Sequence, residues 1–125
     1  MHITEKDLSY LYDIYQNCID ILDYTSNIKS YTFEKDRMRV KAVERSFEII
    51  GIASNKLSKE IKDSLTLIPW KQMIGFRNII AHDYGDIRLE KLWDISRNSI
   101  PELKIELENI DELREYIEVY FKENK

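Results

Sequence analysis

Residues 77 to 84 read RNIIAHDY, in which Arg77 can hold an anion, Asn78 can hydrogen-bond and His82 can move a proton, while Tyr84 taken alone reads as half-buried packing. Arginine presents a permanently charged planar fork that fits phosphate oxygens two at a time. Histidine titrates near neutrality and so can either give or take a proton. Together they suit one reaction in particular, cleavage of RNA, because the nucleophile is the substrate's own 2′-hydroxyl and no metal is required. A well-placed proton-transfer group contributes about 10²- to 10⁴-fold in rate. DNA lacks the attacking hydroxyl, so the same chemistry selects RNA. Asn78 lies four residues before His82, on the same helical face, and can orient the imidazole through a hydrogen bond.

Arg77 and His82 are five residues apart, which on a helix separates them by about 140°. The long arginine side chain can bridge that divergence if the helix frays at His82. Alternatively, a second copy of the helix across a two-fold axis would gather two Arg and two His in one cleft. The bland reading is surface charge and a helix-end residue that meet by chance, and spacing alone does not exclude it. Asp83 and Asp86 beside His82, with His2 near the terminus, lack metal-ligand spacing, so neither a metal nor another cofactor is expected.

The elements that must position these residues are helical. Thr4 with Asp7 resembles a cap, and Leu8, Leu11, Tyr15, Cys18 and Leu22 recur at helical spacing, which predicts a first helix from about 4 to 28. A second helix is expected from Thr32 to about 56, with Val40, Val43, Phe47, Ile50, Ser54 and Leu57 on its inner face. A connector with one helical turn at Lys59 to Ser64 leads to Pro69, and a third helix should run from there to about Ala81. Gly85 then marks the loop leaving it, since glycine takes the left-handed conformation cheaply. A fourth helix is expected over Arg88 to Arg97, and a last segment starts at Ser99 and Pro101, with a break near Asp111 left open.

Few turns punctuate the chain, for it has only 3 Gly and 2 Pro among 125 residues, and this disfavours an all-β domain. The length fits a single domain spanning residues 1–125. The expected fold is all-α, an antiparallel bundle of four to five helices. No apolar run of about 18 residues and no leader-like N-terminus occur, which points to a cytoplasmic protein without a membrane partner. Cys18, the only cysteine, excludes an internal disulfide and reads as a buried helix residue. The net charge of −4 offers no global attraction to nucleic acid, so RNA contacts must be local. The run Arg37, Arg39, Lys41 and Arg45 can supply them but reads first as a solvated helix face. Tyr10, Tyr12, Tyr15 and Tyr24 on the first helix read mainly as core packing.

The longer stretch IPWKQMIGFRNIIAHDYGDI resembles the signature of the HepT family of HEPN-domain proteins. Upstream, AVERSFEIIGIASNKLS resembles that family's second helix, and LEKLWDISRNSIPELK its fourth segment; the similarity covers roughly residues 35 to 110. The resemblance implies a HEPN-like helical bundle and a toxin-type, metal-independent endoribonuclease acting as a homodimer. It further implies a small nucleotidyltransferase antitoxin of the MntA type as partner. Carried over position by position, Arg77 and His82 are catalytic, Asn78 is a supporting polar residue, and Tyr84 is the acceptor of AMP groups from ATP. One departure stands out: many relatives read isoleucine-glycine-glutamate-alanine where this chain has Ile50, Gly51, Ile52 and Ala53. A carboxylate is therefore missing, and Glu48, one turn away, is the candidate to replace it. Two other classes of function stay open, a noncatalytic helical partner of a nucleotidyltransferase and a nucleic-acid-binding module without catalysis.

Overall fold

The structure, a computed structural model, describes residues 2–123. Nine helices and no strand occur among them: α1 (Glu5–Tyr24), α2 (Ser30–Lys35), α3 (Arg37–Lys56), α4 (Lys59–Ser64), α5 (Trp70–Ile74), α6 (Phe76–His82), α7 (Gly85–Arg97), α8 (Ser99–Glu108) and α9 (Asp111–Glu123). Five of these, α1, α3, α7, α8 and α9, are long enough to build the expected all-α bundle. The four short helices connect them, and two of the four carry the residues of interest. Met1, Asn124 and Lys125, the ends of the expected domain, lie outside the described residues.

The hydrogen bonds fix the direction of the helices. At one end the Asp7 carboxylate accepts from Ser58 N at 3.1 Å and from Ser58 Oγ at 2.8 Å, joining the start of α1 to the residues just after α3. At the other end Arg39 Nη1 donates to the Tyr24 carbonyl at 2.8 Å, joining the start of α3 to the end of α1. The two helices are therefore antiparallel. Arg97 Nη1 donates to Thr25 Oγ1 at 3.2 Å, while Tyr15 Oη donates to Glu108 Oε2 at 2.8 Å and Ile3 N to Glu112 Oε2 at 2.9 Å. These place α8 beside α1 running back toward its start, as short connections favour.

The expected inner face of α3 is the buried one: Val40, Val43, Phe47, Ile50, Ser54 and Leu57 are all buried. They pack with Leu11, Ile14, Cys18 and Ile21 of α1 and with Leu92, Ile100, Leu103, Leu107 and Leu113 in one core. Cys18 is buried as expected, and removal from water pushes its thiol pKa up to about 12. The tyrosines of α1 pack partly against the core, with Tyr12 meeting Tyr116 at 6.0 Å between ring centroids.

Several boundaries differ from the sequence expectation, each for a local reason. Thr4 caps α1 as expected, accepting from Asp7 N at 3.1 Å, but the helix ends at Tyr24 rather than near 28. The Thr25 hydroxyl turns back to the Ile21 carbonyl at 2.9 Å, and Asn27 takes a left-handed φ of 58°, which asparagine tolerates better than most residues. The second expected helix is divided at Asp36, whose extended backbone and side chain cap α3 by accepting from Arg39 N at 3.1 Å. The short α4 lies where the sequence places it, capped by Ser58. The third expected helix breaks at Gly75 into α5 and α6. Gly85 has the expected left-handed φ of 58°, yet it opens α7, which starts three residues before Arg88. The open question at Asp111 resolves as a break, with α9 a separate helix.

Candidate functional site

The C-terminal half of α3 and the pair α5 and α6 enclose an open groove of about 610 Å³. Its α3 wall is Glu48, Gly51 and Asn55, which at spacings of three and four share one helical face. Its other wall includes Lys71 of α5 and Arg77, Asn78 and His82 of α6. The three sequence candidates of α6 thus share one groove despite the angular divergence of Arg77 and His82. The stem of Arg77 lies across Gly51, and His82 is the last residue of α6.

The short α6 is fastened to the core mainly by Phe76, its one fully buried residue, which stacks on Phe47 of α3 at 5.0 Å between ring centroids. Ile79 and Ile80 pack partly against the same core. Arg77, Asn78 and His82 remain exposed. Asn78 makes no hydrogen bond to His82 among the described residues, so the expected orienting contact is absent from the single chain; the two merely line the same groove.

Electrostatics at the groove is set by local pairs. Glu48 lines it, but its carboxylate is bound by Arg45 one turn earlier, so the proposed stand-in for the missing glutamate is already engaged. Ile52 is half-buried and does not line the groove. Asp83, next to His82, is paired with Lys91 of α7 at 2.8 Å. That pair ties the residues after α6 to the following helix. Lys71 has no carboxylate within ion-pair distance among the described residues, and with Arg77 it leaves two cationic heads available to an anion. Of the basic run, Arg39 is spent on Asp36 and the Tyr24 carbonyl and Arg45 on Glu48, while Arg37 and Lys41 are exposed.

Tyr84 stands outside the groove, two residues beyond His82 on extended backbone (φ −127°, ψ 152°), and is 75% exposed. Among the described residues no three His, Cys, Asp or Glu side chains gather as a metal-binding group, and no helix is long and apolar enough to cross a membrane. Sequence reasoning passed over Lys71 and Asn55 as groove residues. It quoted Gly51 only within a motif, although a glycine inside a helix costs stability and so signals a close approach.

The family model described as "Ribonuclease HepT-like" matches residues 14–110, a span that holds the whole groove. Among curated proteins the chain is 36% identical over 107 residues to "Putative RNase MJ1380" of Methanocaldococcus jannaschii, covering 85% of this chain and 98% of the relative. It is 38% identical over 109 residues to "Putative RNase MJ0127" of the same organism, covering 86% and 90%. To "Probable ribonuclease HepT" of Thermococcus cleftensis it is 33% identical over 110 residues, covering 88% and 98%. No solved structure gives a significant match. The chain belongs to the HepT-like ribonuclease family.

Proposed function

We propose that this protein is the toxin of a toxin-antitoxin pair, an endoribonuclease that cuts RNA without a metal through Arg77 and His82. The observation that carries the reading is the open groove that Arg77 and His82 line together in a chain of the HepT-like ribonuclease family. In the reaction the 2′-oxygen of one nucleotide attacks the adjacent phosphorus and the bond from phosphorus to the 5′-oxygen breaks. The 2′-hydroxyl proton is taken up by a base and the leaving 5′-oxygen is protonated, leaving a 2′,3′-cyclic phosphate. His82 handles one of these protons, and Arg77, with Lys71 beside it, balances charge on the phosphate. A homodimer pairing two such grooves supplies the opposing wall and a second Arg77 and His82, with Asn78 supporting the cleft.

A cognate nucleotidyltransferase antitoxin of the MntA type inactivates the toxin by AMP transfer to Tyr84. The Tyr84 oxygen attacks the α-phosphorus of ATP, pyrophosphate leaves, and the hydroxyl proton goes to solvent. Exposure of Tyr84 supports this role, and the added negative charge two residues from His82 opposes RNA binding. A second reading, a noncatalytic partner of the nucleotidyltransferase, is favoured by one observation: Ile52 replaces a family glutamate and Glu48 is occupied by Arg45.

The test is RNA cleavage by purified protein with and without a chelator. Wild type is expected to cut in both, and His82→Ala to fall by about 10²- to 10⁴-fold. Cleavage that persists unchanged in His82→Ala would refute the chemistry. An intact-mass increase after co-expression with the nucleotidyltransferase, lost in Tyr84→Phe, tests the modification.

A further inference from the structure

Gly51 is buried in the C-terminal half of α3, inside the helix, where alanine would ordinarily serve better. Its backbone is helical and needs no special φ, so the reason for a glycine is spatial. A Cβ at position 51 would stand 3.0 Å from Arg77 Cγ and 3.5 Å from Arg77 Cδ. Two carbons in comfortable contact are about 3.5–4.0 Å apart, so the first approach is too close and the second is ordinary. The other near neighbour, the Met73 carbonyl oxygen, would be 3.4 Å away, which is a normal carbon-to-oxygen contact. The space left by the missing side chain is thus bordered by the arginine stem and by the Met73 carbonyl of α5, and only the arginine stem is closer than ordinary contact.

We infer that Gly51 is a positioning residue for Arg77: its bare Cα is the seat on which the arginine stem lies, and it fixes where the guanidinium enters the groove. The inference rests on the ribonuclease reading of the groove, but the seat itself is a property of the fold. Relieving a 3.0 Å contact requires Arg77 Cγ to give by a few tenths of an ångström, and the displacement grows along the side chain toward the guanidinium. A misplacement of about 1 Å at a reacting group can cost about 100-fold in rate. Because the arginine is exposed, withdrawal leaves no cavity in the core. Gly51→Ala therefore separates activity from stability, which a merely structural glycine would not do.

The experiment compares wild type, Gly51→Ala, Arg77→Ala and the double variant in the full chain. Gly51→Ala is expected to cut RNA about 3- to 30-fold more slowly, less than a full 1 Å misplacement would cost, while its Tm is unchanged or higher. Affinity for a fully 2′-O-methylated RNA, which cannot be cut, is expected to fall in Gly51→Ala yet be the same in Arg77→Ala and in the double variant. The Arg77 side-chain Nε–H resonance should shift in Gly51→Ala. Wild-type cleavage with Gly51→Ala within twofold of it overturns the inference, as does an equal loss of affinity on adding Gly51→Ala to Arg77→Ala. If wild type itself cuts no RNA, the ribonuclease reading fails separately. The Nε–H resonance then decides the seat, and an unmoved signal overturns it.

Discussion

Replacing Phe76 by leucine tests whether packing under α6 holds the groove in place. Phe76 is 2% exposed and stacks on Phe47 with an interplanar angle of 26°. Truncation to alanine would cost about 3–5 kcal/mol, a large part of the 5–15 kcal/mol that holds a typical domain together. Leucine keeps apolar contact and loses the ring pair and some volume, so roughly 1–2 kcal/mol is expected. At an unfolding entropy of about 2.1 cal/mol/K per residue, that lowers Tm by about 4–8 °C for a chain of 125 residues. The control is Ile14→Val in α1, fully buried and away from the groove, at about 0.5–1.5 kcal/mol. Both variants are assayed at 25 °C, well below their transitions, for RNA cleavage and for amide hydrogen exchange. Phe76→Leu is expected to lose cleavage and to exchange faster across α6, where the stack is the main anchor, while Ile14→Val keeps both at the wild-type level. Equal behaviour of the two variants in exchange would refute the argument that one ring positions α6, whatever the activity shows.

Two further outcomes concern the scaffold. Asp7→Ala removes the buried carboxylate that accepts from Ser58 N and Ser58 Oγ, and is expected to cost about 2–4 kcal/mol by urea denaturation. Ser58→Ala added to it should cost less than in the wild-type background, because the two share one interaction; full additivity would count against the Asp7 clamp. Burial of Cys18 raises its folded pKa from 9.0 to about 12, so the neutral thiol is the form the fold accommodates. The contribution is complete below the unfolded pKa. Between about pH 9 and 12 the unfolded chain ionises first and binds fewer protons, so stability falls by up to about 1.4 kcal/mol per pH unit. Cys18→Ala should flatten that part of the denaturation profile, and an unchanged alkaline slope would contradict the assignment.

How much of this was legible beforehand divides along physical lines. Periodicity is a property of many residues at once, and the inner face of α3 from Val40 to Leu57 was readable because six positions agree. The cap at Thr4 was readable because a side-chain oxygen three residues before a free N–H is a local event; the short helix at Lys59 to Ser64 was expected too, though its cap at Ser58 was not named. Asp36 is the same kind of cap, but it sits among charged residues of a continuous helical pattern, and its role depends on whether the chain chooses to break there. Gly75 likewise divides α5 from α6 with an ordinary right-handed backbone, so only packing reveals it. Arg77, Asn78 and His82 were identified by residue type and by family resemblance. Lys71 and Asn55 join them only when α3 and α5 are brought together, which no single stretch of sequence records.

The openness of the groove bears on how the proposed reaction can work at all. Two unit charges 4 Å apart interact by about 1 kcal/mol in bulk water and about 4 kcal/mol where the effective dielectric is near 20. Arg77, Asn78 and His82 are exposed in the single chain, so a phosphate bound there would meet the weak end of that range. A second wall that displaces water strengthens every contact with the phosphate, apart from any residue it adds. In the proposed homodimer that wall is the partner's own groove, and dimer formation becomes part of catalysis as well as of assembly. The same logic bears on the AMP transfer proposed at Tyr84. An AMP group at an exposed residue beside the groove need not touch Arg77 or His82, since charge and bulk that hold the second wall or the RNA away leave the remaining half-site facing water.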